Sequence, residues 1–304
     1  MAAELSFVVV TWNSGDDLAG LIDSMSTHLP DTAKIELIVV DNASSDDPTP
    51  VARQWQGEVV CERLESNLGF GAAANRGVAL SSAPVCVICN PDVRLIDDSI
   101  RALGALAAER QALVGPRLLW SDRTPQPSAS GPVVGLWPWI GAVIPGSIQP
   151  RWMLSRTEPW RLGETTPVTW LTGAVVVAPT SLLRDLGPFD ESIDLMYEDL
   201  DLCLRAGRSG IESVFAPEVS TVVHIGGTSR EKRFDDAGLR RAQENRWKVI
   251  AGTFGSGSAR MSTAALAIRL ELRSVAKRML GRDADAERAE LTALKRASGA
   301  RGGR

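Results

Sequence analysis

The sequence lacks an apolar run long enough to cross a bilayer. A membrane-spanning helix needs roughly 18 or more consecutive apolar residues, whereas the stretch VVGLWPWIGAVIPG at 133–146 is shorter and is interrupted by Pro138. The N-terminus, MAAELSFVVVTW, also lacks the basic segment and long apolar segment that are typical of a signal peptide. We therefore expect a cytoplasmic protein, which can still lie at the inner face of the cell membrane.

The sequence also lacks an excess of basic residues. Its formal net charge is −4, whereas general nucleic-acid binding normally requires many Lys and Arg, so we expect no nucleic-acid partner. The segment from Arg260 to Arg304 is the exception, with eleven Lys and Arg against five Asp and Glu. In its stretch ALAIRLELRSVAKRML, apolar and basic residues alternate at helical spacing. This predicts peripheral contact with an anionic membrane surface, or a solvated helix packed on the domain.

Cysteine is scarce, with four residues in the chain, and nothing in the sequence requires an oxidising compartment. Cys86 and Cys89 form a C-x-x-C motif inside an apolar stretch that predicts a strand, so the two side chains face opposite sides of a sheet. We interpret them as buried small hydrophobic residues rather than a metal or redox pair.

Two common nucleotide-binding motifs are absent. The motif G-x-G-x-x-G does not follow the first predicted strand, and G-x-x-x-x-G-K-[ST] does not occur at all. A dinucleotide-dependent dehydrogenase and a P-loop enzyme therefore lose their main support. A sugar-phosphate nucleotidyltransferase would be expected to have a glycine- and basic-rich loop after the first strand, where this chain has the acidic segment TWNSGDD.

The first 120 residues alternate apolar runs, rich in Val and Ile, with amphipathic stretches. Apolar residues at spacings of three and four in the amphipathic stretches indicate helices. Strands that are nearly continuous in Val and Ile predict an α/β fold with a Rossmann-like, doubly wound, mostly parallel sheet covered on both faces. The predicted strands are 5–12, 35–40, 58–64, 83–90 and 112–120, and the predicted helices are 16–29, 71–82 and 97–110.

The second half of the chain is less regular. Residues 121–165 are rich in Pro, Trp, Gly and Ser and predict a long loop. A strand is predicted at 168–179, and the segment 197–210 begins with acids and ends with Arg and Gly, which is typical of a helix. We expect one domain over 1–255, followed by a basic helical tail over 256–304.

Polar segments follow the first four predicted strands, at the edge where ligands bind in an open parallel sheet. Asp41 can accept hydrogen bonds from a base or a ribose, or it can form an Asx turn or a helix cap. Gly69 precedes a helix start, where backbone N–H groups can face a phosphate. Asn90 and Asp92 flank a rigid proline. Asp92 is either a ligand for Mg²⁺ or Mn²⁺ or a simple turn residue.

The second half of the chain contributes further candidates. The segment YEDLD places Glu198, Asp199 and Asp201 in the first turn of a predicted helix. Acids in this position stabilise the helix dipole, which is expected to lower the pKa of Asp199. Asp201 and Arg205 are i,i+4 partners, so we predict a structural role for Asp201. His224 ends an apolar run and is either a metal ligand or a structural residue.

Six segments, taken in chain order, resemble those of the family 2 glycosyltransferases, which have the GT-A-type fold. They are VVVTWNSGDDLAGLIDSM, IELIVVDNASSDD, NLGFGAAANRG, NPDV, the run from WLTGAVVVAP to YEDLDLCLRAGRSG, and VVHIGGTS. The similarity covers residues 5–230 and looks closest to the rhamnosyltransferase-like branch. It implies a GT-A-type fold with C-terminal helices, in which residues 1–120 hold the sugar donor and residues 121–255 hold the acceptor.

The same resemblance implies that the donor nucleotide is bound by the segments after the first strands. Asp41 matches the residue that contacts the pyrimidine or ribose, and Asn90 stands where many members have the first acid of the metal motif. The glycine segment also differs, since many relatives have Ala-Arg-Asn where this chain has AANR. The donor-binding candidates are Thr11, Asn13, Asp41, Asn67, Gly69, Asn75, Arg76 and Asn90.

The resemblance also implies a metal site and a catalytic base. Asp92 matches the retained metal-binding acid, and His224 matches a metal-ligating histidine of some members, so a divalent cation, Mg²⁺ or Mn²⁺, is the expected cofactor. Asp199 matches the base of the family's Glu-Asp pair, with Glu198 as its neighbour. Such a base takes the proton of an acceptor hydroxyl during a single displacement that inverts the anomeric carbon.

These inferences predict an inverting glycosyltransferase. It would move a rhamnose-like sugar from a dTDP or UDP donor to a hydroxyl of a cell-envelope glycan or a lipid-linked acceptor. The alternative is a non-catalytic module of the same fold that binds a nucleotide sugar or a glycan. The intact candidates Asp92, Glu198, Asp199 and His224 disfavour that alternative.

Overall fold

A computed structural model describes residues 3–194, 196–226 and 235–299. These residues form two compact units. Unit 1 contains residues 3–129, 160–194 and 198–226, and unit 2 contains residues 130–159, 196–197 and 235–299. The segment VVHIGGTS, the sixth that resembles the family, is described only as far as Gly226.

The secondary structure follows the predicted alternation of strands and helices in the first 120 residues, with ends that differ by about three residues at most. The strands are β1 (Leu5–Thr11), β2 (Ile35–Asp41), β3 (Glu58–Arg63), β4 (Val85–Cys89), β5 (Val93–Leu95), β6 (Leu113–Gly115), β7 (Arg117–Leu119), β8 (Ala129–Ser130), β9 (Thr166–Val168), β10 (Trp170–Leu171), β11 (Val175–Pro179), β12 (Ser213–Phe215) and β13 (Thr221–His224). The helices are α1 (Gly15–His28), α2 (Thr49–Ala52), α3 (Phe70–Leu80), α4 (Ile100–Arg110), α5 (Trp137–Val143), α6 (Arg151–Thr157), α7 (Thr180–Leu186), α8 (Glu198–Arg208), α9 (Asp236–Met279) and α10 (Asp285–Gly299).

Unit 1 is built on an eight-stranded sheet in the order β3-β2-β1-β4-β11-β6-β12-β9. The strands β3, β2, β1 and β4 pair in parallel, and so do β6 and β12. β11 is antiparallel to both of its neighbours, and β9 is antiparallel to β12. The predicted α/β fold with a mostly parallel sheet is confirmed, and the antiparallel strands belong to the second half of the chain.

Alternate residues of each central strand pack into two cores, one on each face of the sheet. In β1, Phe7 and Val9 lie in one core, and Val8 lies in the other. Because both faces are covered, the middle of the strand, Phe7 to Val10, is apolar on both sides. Cys86 and Cys89 of β4 are likewise buried, free and divided between the two cores. Burial raises the pKa of Cys86 to about 12, so the predicted role as buried small hydrophobic residues is confirmed.

Two predicted strands are each divided in the structure. The run 112–120 forms β6 in the large sheet and β7 in a three-stranded sheet with β5 and β13. Pro116 lies between them and has no backbone N–H to donate to a ladder, so the chain changes sheets there. The run 168–179 is interrupted between β10 and β11, and Gly173 in this gap donates its N–H to Asp199 instead.

Unit 2 contains helices where the sequence predicts a loop. α5 and α6 lie within the predicted loop 121–165, and α5 packs on α9. Pro138 is in the first turn of α5, a position that accepts proline although the residue interrupts helical periodicity in the sequence. α9 is interrupted at Gly255, where φ is 83°. The compact units are thus divided differently from the predicted domains, because residues 130–159 belong with the C-terminal helices.

The described helices include none that is long and apolar enough to span a bilayer.

Candidate active site

Asp41 lies at the carboxyl edge of the sheet, between Thr11 at the end of β1 and Arg63 at the end of β3. Its buried carboxylate accepts hydrogen bonds from the Ser44 N–H at 3.2 Å and from the Ser44 hydroxyl. Arg63 Nε is 3.2 Å from Asp41 Oδ2, and Thr11 Oγ1 is 3.4 Å from Oδ1. The contacts to Ser44 form a turn at the end of β2. Donor contact by Asp41 and Thr11 stays a prediction.

An open cavity of about 510 Å³ lies at this edge of unit 1 and is lined by Ala43, Ser44, Arg63, Leu64 and Glu65. Two of these residues, Ser44 and Arg63, are also the ones that hold the carboxylate of Asp41. The space is therefore next to the residue for which the sequence predicts contact with a nucleoside.

Asn13 joins the loop after β1 to the loop after β2. Its side-chain oxygen accepts hydrogen bonds from the N–H and the hydroxyl of Ser45, both at 2.8 Å. Its own N–H donates to Ser44 Oγ at 2.9 Å. With φ of 51°, Asn13 is in the left-handed region, which asparagine tolerates better than most residues. Asn13 thus shapes the edge of the cavity, and direct contact with a donor stays a prediction.

Asn42 is a site residue that the sequence analysis missed. It is fully buried, donates to Asn67 Oδ1 at 2.9 Å and to the carbonyl of Gly69 at 3.1 Å, and accepts from the N–H of Leu68 at 2.8 Å. It therefore holds the whole glycine segment against the end of β2. Gly69 has φ of 90°, a conformation that favours glycine. The signal available in the sequence was an asparagine directly after the strand-ending aspartate.

The structure places Asn75 and Arg76 on α3, without hydrogen bonds to the other predicted site residues in the part of the chain that it describes. The Asn75 side chain exchanges two hydrogen bonds with the backbone of Phe189, both at 3.0 Å, and also donates to Glu191 Oε1 at 3.1 Å. Asn75 thus fixes the turn that precedes α8. Arg76 is exposed. The donor-binding role of both residues stays a prediction.

Asp92 and His224 lie together between β4, β5 and β13. His224 Nε2 is 3.2 Å from Asp92 Oδ1, and the N–H of Gly226 donates to Asp92 Oδ2 at 3.1 Å. Burial raises the pKa of Asp92, but the hydrogen bond and charge of His224 and the backbone N–H groups outweigh it, so the pKa lies below its usual value. The carboxylate is therefore ionised at neutral pH. The two metal-site candidates are in direct contact although 132 positions separate them.

Gln126 fixes the orientation of the imidazole and was not predicted from the sequence. Its Oε1 is 2.9 Å from His224 Nδ1, and its Nε2 donates to the backbone carbonyl of His224 at 2.5 Å. When Nδ1 donates to the amide oxygen, Nε2 keeps a lone pair directed at the carboxylate of Asp92. Histidines that bind metals in proteins are commonly held by such a hydrogen bond from the other ring nitrogen.

This cluster has suitable donors for a divalent cation. Asp92 Oδ1 and His224 Nε2 lie 3.2 Å apart, and a divalent cation would find one ligand atom on each when Nε2 carries no proton. The Asn90 amide is 3.4 Å from the same Nε2, and its rotation would present an oxygen. Among the described residues no group of three or more His, Cys, Asp or Glu forms a metal cluster. The fit therefore depends on two such residues and an amide.

Asp199 lies at the start of α8, and backbone N–H groups hold its carboxylate. Gly173 donates to Oδ2 at 2.8 Å, and Leu200 donates to Oδ1 at 2.7 Å. Burial raises the pKa of Asp199, and these hydrogen bonds only partly offset it. The sequence-based expectation of a lowered pKa is therefore wrong. The helix dipole acts on this carboxylate, but the loss of solvent is larger.

One short backbone segment connects the base candidate to the metal candidates. Gly173 donates to Asp199, and the carbonyl of the next residue, Ala174, accepts the N–H of Asn90 at 2.9 Å. Glu198, which precedes Asp199, lies close to Gly71 of α3. A Cβ added at Gly71 would be 3.9 Å from the Cβ of Glu198. The structure thus brings Asn90, Asp92, His224, Asp199 and Glu198 into one region of unit 1.

Asp201 has the structural role that the sequence predicts. It forms an ion pair with Arg205 at 2.6 Å, one helical turn away. Arg205 also donates to the carbonyls of Leu186, Gly187 and Pro188, and so fixes the turn between α7 and α8.

The chain matches two protein-family models. A model described as "Glycosyl transferase family 2" matches residues 6–139, and a model described as "Glycosyl transferase family group 2" matches residues 152–276. The chain belongs to the family 2 glycosyltransferases. These matches cover both halves of the site, from the ends of β1 and β2 to α8 and β13, and the predicted family is confirmed.

Among curated relatives of this glycosyltransferase is an N-acetylglucosaminyl-diphospho-decaprenol L-rhamnosyltransferase of Mycobacterium tuberculosis. It is 28% identical over 239 residues, which are 74% of this chain and 77% of the relative. This similarity supports the rhamnosyltransferase-like branch.

Solved structures show the same fold. The mannosyltransferase PcManGT from Pyrobaculum calidifontis, in complex with GDP-Man and Mn²⁺, has a TM-score of 0.61 at 15% identity, over 98% of this chain and 86% of that chain. GalNAc-T7 with UDP, GalNAc and Mn²⁺ has a TM-score of 0.59 at 16% identity, and 82% of this chain covers only 47% of it. At these identities the likeness shows the GT-A fold, and the activity of each neighbour remains its own.

Proposed function

We propose that this glycosyltransferase transfers a rhamnose-like sugar, with inversion, from a dTDP or UDP donor to a hydroxyl of a lipid-linked or glycan acceptor of the cell envelope. The observation that carries the proposal is the Asp92–His224 pair, in which a buried carboxylate and an oriented imidazole face each other at 3.2 Å. A binding module that only held a glycan would have no need of a buried carboxylate in contact with a partly buried, oriented imidazole. The name of the mycobacterial relative supports the sugar and the lipid-linked acceptor.

The residues at the strand ends divide the work of holding the donor. Asp41, oriented by Ser44 and Arg63, accepts hydrogen bonds from the base or the ribose. Asn42 holds the glycine segment before α3, and the backbone N–H groups of the first turn of that helix would donate to the diphosphate oxygens. Asp92, His224 and the amide of Asn90 would hold Mg²⁺ or Mn²⁺, which supplies positive charge to neutralise a departing diphosphate.

Asp199 acts as the general base. Its carboxylate takes the proton of the acceptor hydroxyl while the hydroxyl oxygen bonds to the anomeric carbon and the bond from that carbon to the diphosphate breaks. A single displacement of this kind inverts the anomeric centre and needs no nucleophile on the enzyme. The raised pKa strengthens Asp199 as a base, because proton affinity increases with pKa.

The function is tested by transfer from purified dTDP-rhamnose and UDP-sugars to a synthetic N-acetylglucosaminyl-diphospho-polyprenol in the presence of Mg²⁺ or Mn²⁺. The expected product carries one added sugar whose anomeric configuration, measured by NMR, is opposite to that of the donor. A product with retained configuration would contradict the mechanism. Donor binding without transfer to any acceptor would favour the non-catalytic alternative.

Cation dependence is predicted to act through Asp92. Asp92→Asn should weaken donor binding when Mg²⁺ or Mn²⁺ is present and leave it unchanged in excess chelator, because the substitution removes a charged metal ligand but keeps the shape. Calorimetric titration with the donor nucleotide measures both conditions. The matched control is Asp98→Asn, which removes the same charge from an exposed position. Equal weakening of donor binding in chelator would show that Asp92 acts on the nucleotide or the turn directly.

A further inference from the structure

Unit 2 contains a cavity of its own, formed by residues 130–133 together with α5, α6 and α9. Its volume is about 130 Å³, several times the roughly 10–15 Å³ that one water molecule requires. The residues that line it are Ser130, Gly131, Pro132, Val133, Trp137, Pro138, Gly141, Arg156, Thr157, Arg246, Ser262, Ala265, Leu266 and Arg269. They include three arginines and no acidic residue.

Two of these arginines have no carboxylate partner within ion-pair distance among the described residues. Arg246 donates to Ser262 Oγ at 2.6 Å, and burial lowers the pKa of its guanidinium. The exposed guanidinium of Arg156 lies over the ring of Trp137, with 5.8 Å from Cζ to the centroid. Arg269 differs, because the buried carboxylate of Glu158 lies 2.5 Å from it. Arg246 is the desolvated one of the two, and Glu290 acts on it only from beyond ion-pair distance. Burying a guanidinium without a close counter-ion is costly, and an anion bound in this cavity would offset that cost.

Exposed apolar side chains occur on or beside the helices that form this cavity. Trp152 packs edge-on against Trp137, with centroids 6.4 Å apart, and is itself 64% exposed. Leu136 and Ile148 are 67% and 72% exposed. Single exposed apolar side chains are common, but the exposed Trp152 is joined through Trp137 to the wall of the cavity. A ligand with an anionic head and an apolar chain would match both the arginines and this rim.

From this juxtaposition we infer that the cavity of unit 2 binds the diphosphate group of a lipid-linked acceptor, with Arg156 and Arg246 on the phosphate oxygens and Trp152 against the lipid chain. Guanidinium groups suit phosphate because their N–H donors match its oxygens. The inference deepens the proposed function and rests on it for the identity of the acceptor. The donor-binding candidates of the proposed function belong to unit 1, whereas every residue that lines this cavity belongs to unit 2.

The site is tested by calorimetric titration of the full chain with farnesyl diphosphate, inorganic pyrophosphate and farnesol, in excess chelator so that the cation site contributes nothing. Farnesyl diphosphate should bind more tightly than pyrophosphate, and farnesol should give no saturable binding. Arg246→Gln and Arg156→Gln should each weaken farnesyl diphosphate binding by about tenfold or more, the usual effect of losing a charge-assisted hydrogen bond. Arg156 is exposed, so this variant carries the test if Arg246→Gln fails to fold.

The matched control is Arg240→Gln, which removes a guanidinium from the same helix where it is half exposed and paired with Glu244. This control should bind farnesyl diphosphate as the unaltered chain does. Equal binding by all three variants would overturn the site. Arginine-dependent binding of pyrophosphate with no gain from the farnesyl chain would assign the cavity to a free phosphate anion and overturn the lipid-linked ligand.

The proposed function is tested by separate measurements. Binding of the donor nucleotide and transfer to the polyprenol acceptor are measured with the same variants. If transfer proceeds and the acceptor KM is unchanged in Arg156→Gln, the inference fails while the function stands. If the unaltered chain shows no transfer although farnesyl diphosphate binding depends on the arginines, the function fails while the diphosphate site stands.

Discussion

The environment of Asp199 decides its chemistry more than its position on a helix does. A first-turn acid is normally stabilised in its ionised form by the helix dipole, an effect of about 0.3–1 kcal/mol at an exposed site. Here burial acts in the opposite direction and raises the pKa, even though Gly173 and Leu200 donate hydrogen bonds to the carboxylate. The result suits a general base, which is most effective when its pKa approaches the working pH.

Asp199→Asn is predicted to lower the rate of sugar transfer by roughly 10²- to 10⁴-fold, the usual contribution of a general base. Donor affinity should change little, because Asp199 is not one of the donor-binding candidates. The base acts as a carboxylate with a raised pKa, so kcat/KM of the unaltered enzyme should fall as pH decreases through that pKa, at higher pH than for an ordinary aspartate. The Asn variant should lack this acid limb in a pH–rate profile.

Glu198→Gln is the control for this assignment. Adjacent residues on a helix are displaced by about 100° around its axis, so Glu198 and Asp199 cannot both reach one hydroxyl in the same way. Near-normal transfer by Asp199→Asn together with loss of transfer in Glu198→Gln would move the base to Glu198. Normal transfer by both variants would contradict the mechanism for this chain.

Individual site residues differ in how well the sequence predicts them. Asp92, Asp199 and His224 occur in short segments typical of the family, and the structure places them in one region. Gln126 and Asn42 were missed because their roles depend on partners. Gln126 orients an imidazole that follows it by 98 positions, and no local pattern reports such a contact.

At the scale of elements, the contact between α3 and β1 shows why a glycine is needed inside a helix. A Cβ at Gly77 would lie 2.3 Å from Val8 Cγ1, which is buried in the core. The absence of a side chain allows the helix axis to approach the strand closely. The same approach positions the N-terminus of α3, and therefore the glycine segment, at the carboxyl edge of the sheet.

Gly77→Ala is predicted to destabilise the protein by about 1–3 kcal/mol, because the added methyl group overpacks the core against Val8. The measurement is the free energy of unfolding in urea. Gly207→Ala is the matched control, since a Cβ there meets no atom within 4 Å and the residue lies in α8. Alanine should be neutral or stabilising by up to about 1 kcal/mol at that position, through helix propensity. Equal stability of the two variants would contradict close packing at Gly77.

Element boundaries were predicted best where periodicity is strong and worst near proline. The strands and helices of the first 110 residues follow apolar patterns of period two and about 3.6, which the local sequence determines. The run 112–120 is divided at Pro116, and α5 begins with a proline in its first turn, so periodicity fails in both places. The first half of the run, β6, pairs with β12, and the second half, β7, pairs with β13. Both partner strands are more than 90 residues away in the sequence, so no local pattern predicts the division.

At the scale of the whole molecule, the basic C-terminal segment is part of a packed unit. Ala265 and Leu270 of α9 are buried in unit 2, and Glu158 pairs with Arg269 and Arg273. Removing the segment would therefore expose the core of unit 2. If a shortened chain lost membrane binding, either the missing helix face or the unfolding of unit 2 would explain the loss. Substitutions on the exposed face of α9 test membrane contact without this ambiguity.

One face of α9 presents apolar side chains to solvent. Met261, Leu272, Val275 and Met279 are 54%, 47%, 48% and 83% exposed, respectively. Their spacings of eleven, three and four positions place them on one side of a helix. Arg260, Arg278 and Arg282 are exposed in the same region of the sequence. An apolar face with adjacent arginines is the arrangement by which a helix contacts an anionic membrane surface.

The double substitution Leu272→Ser and Met279→Ser is predicted to reduce co-sedimentation of the protein with vesicles that contain phosphatidylglycerol. Burying a Leu or Met side chain contributes about 1.5–3 kcal/mol, so partitioning should fall by about tenfold or more. Binding by the unaltered chain should weaken as salt increases, because its arginines are attracted to the anionic surface. The matched control is Leu68→Ser with Leu80→Ser, two exposed leucines of unit 1, which should leave sedimentation unchanged. If both pairs of substitutions have the same effect, or if the unaltered chain does not sediment with these vesicles, membrane contact through this face of α9 is wrong.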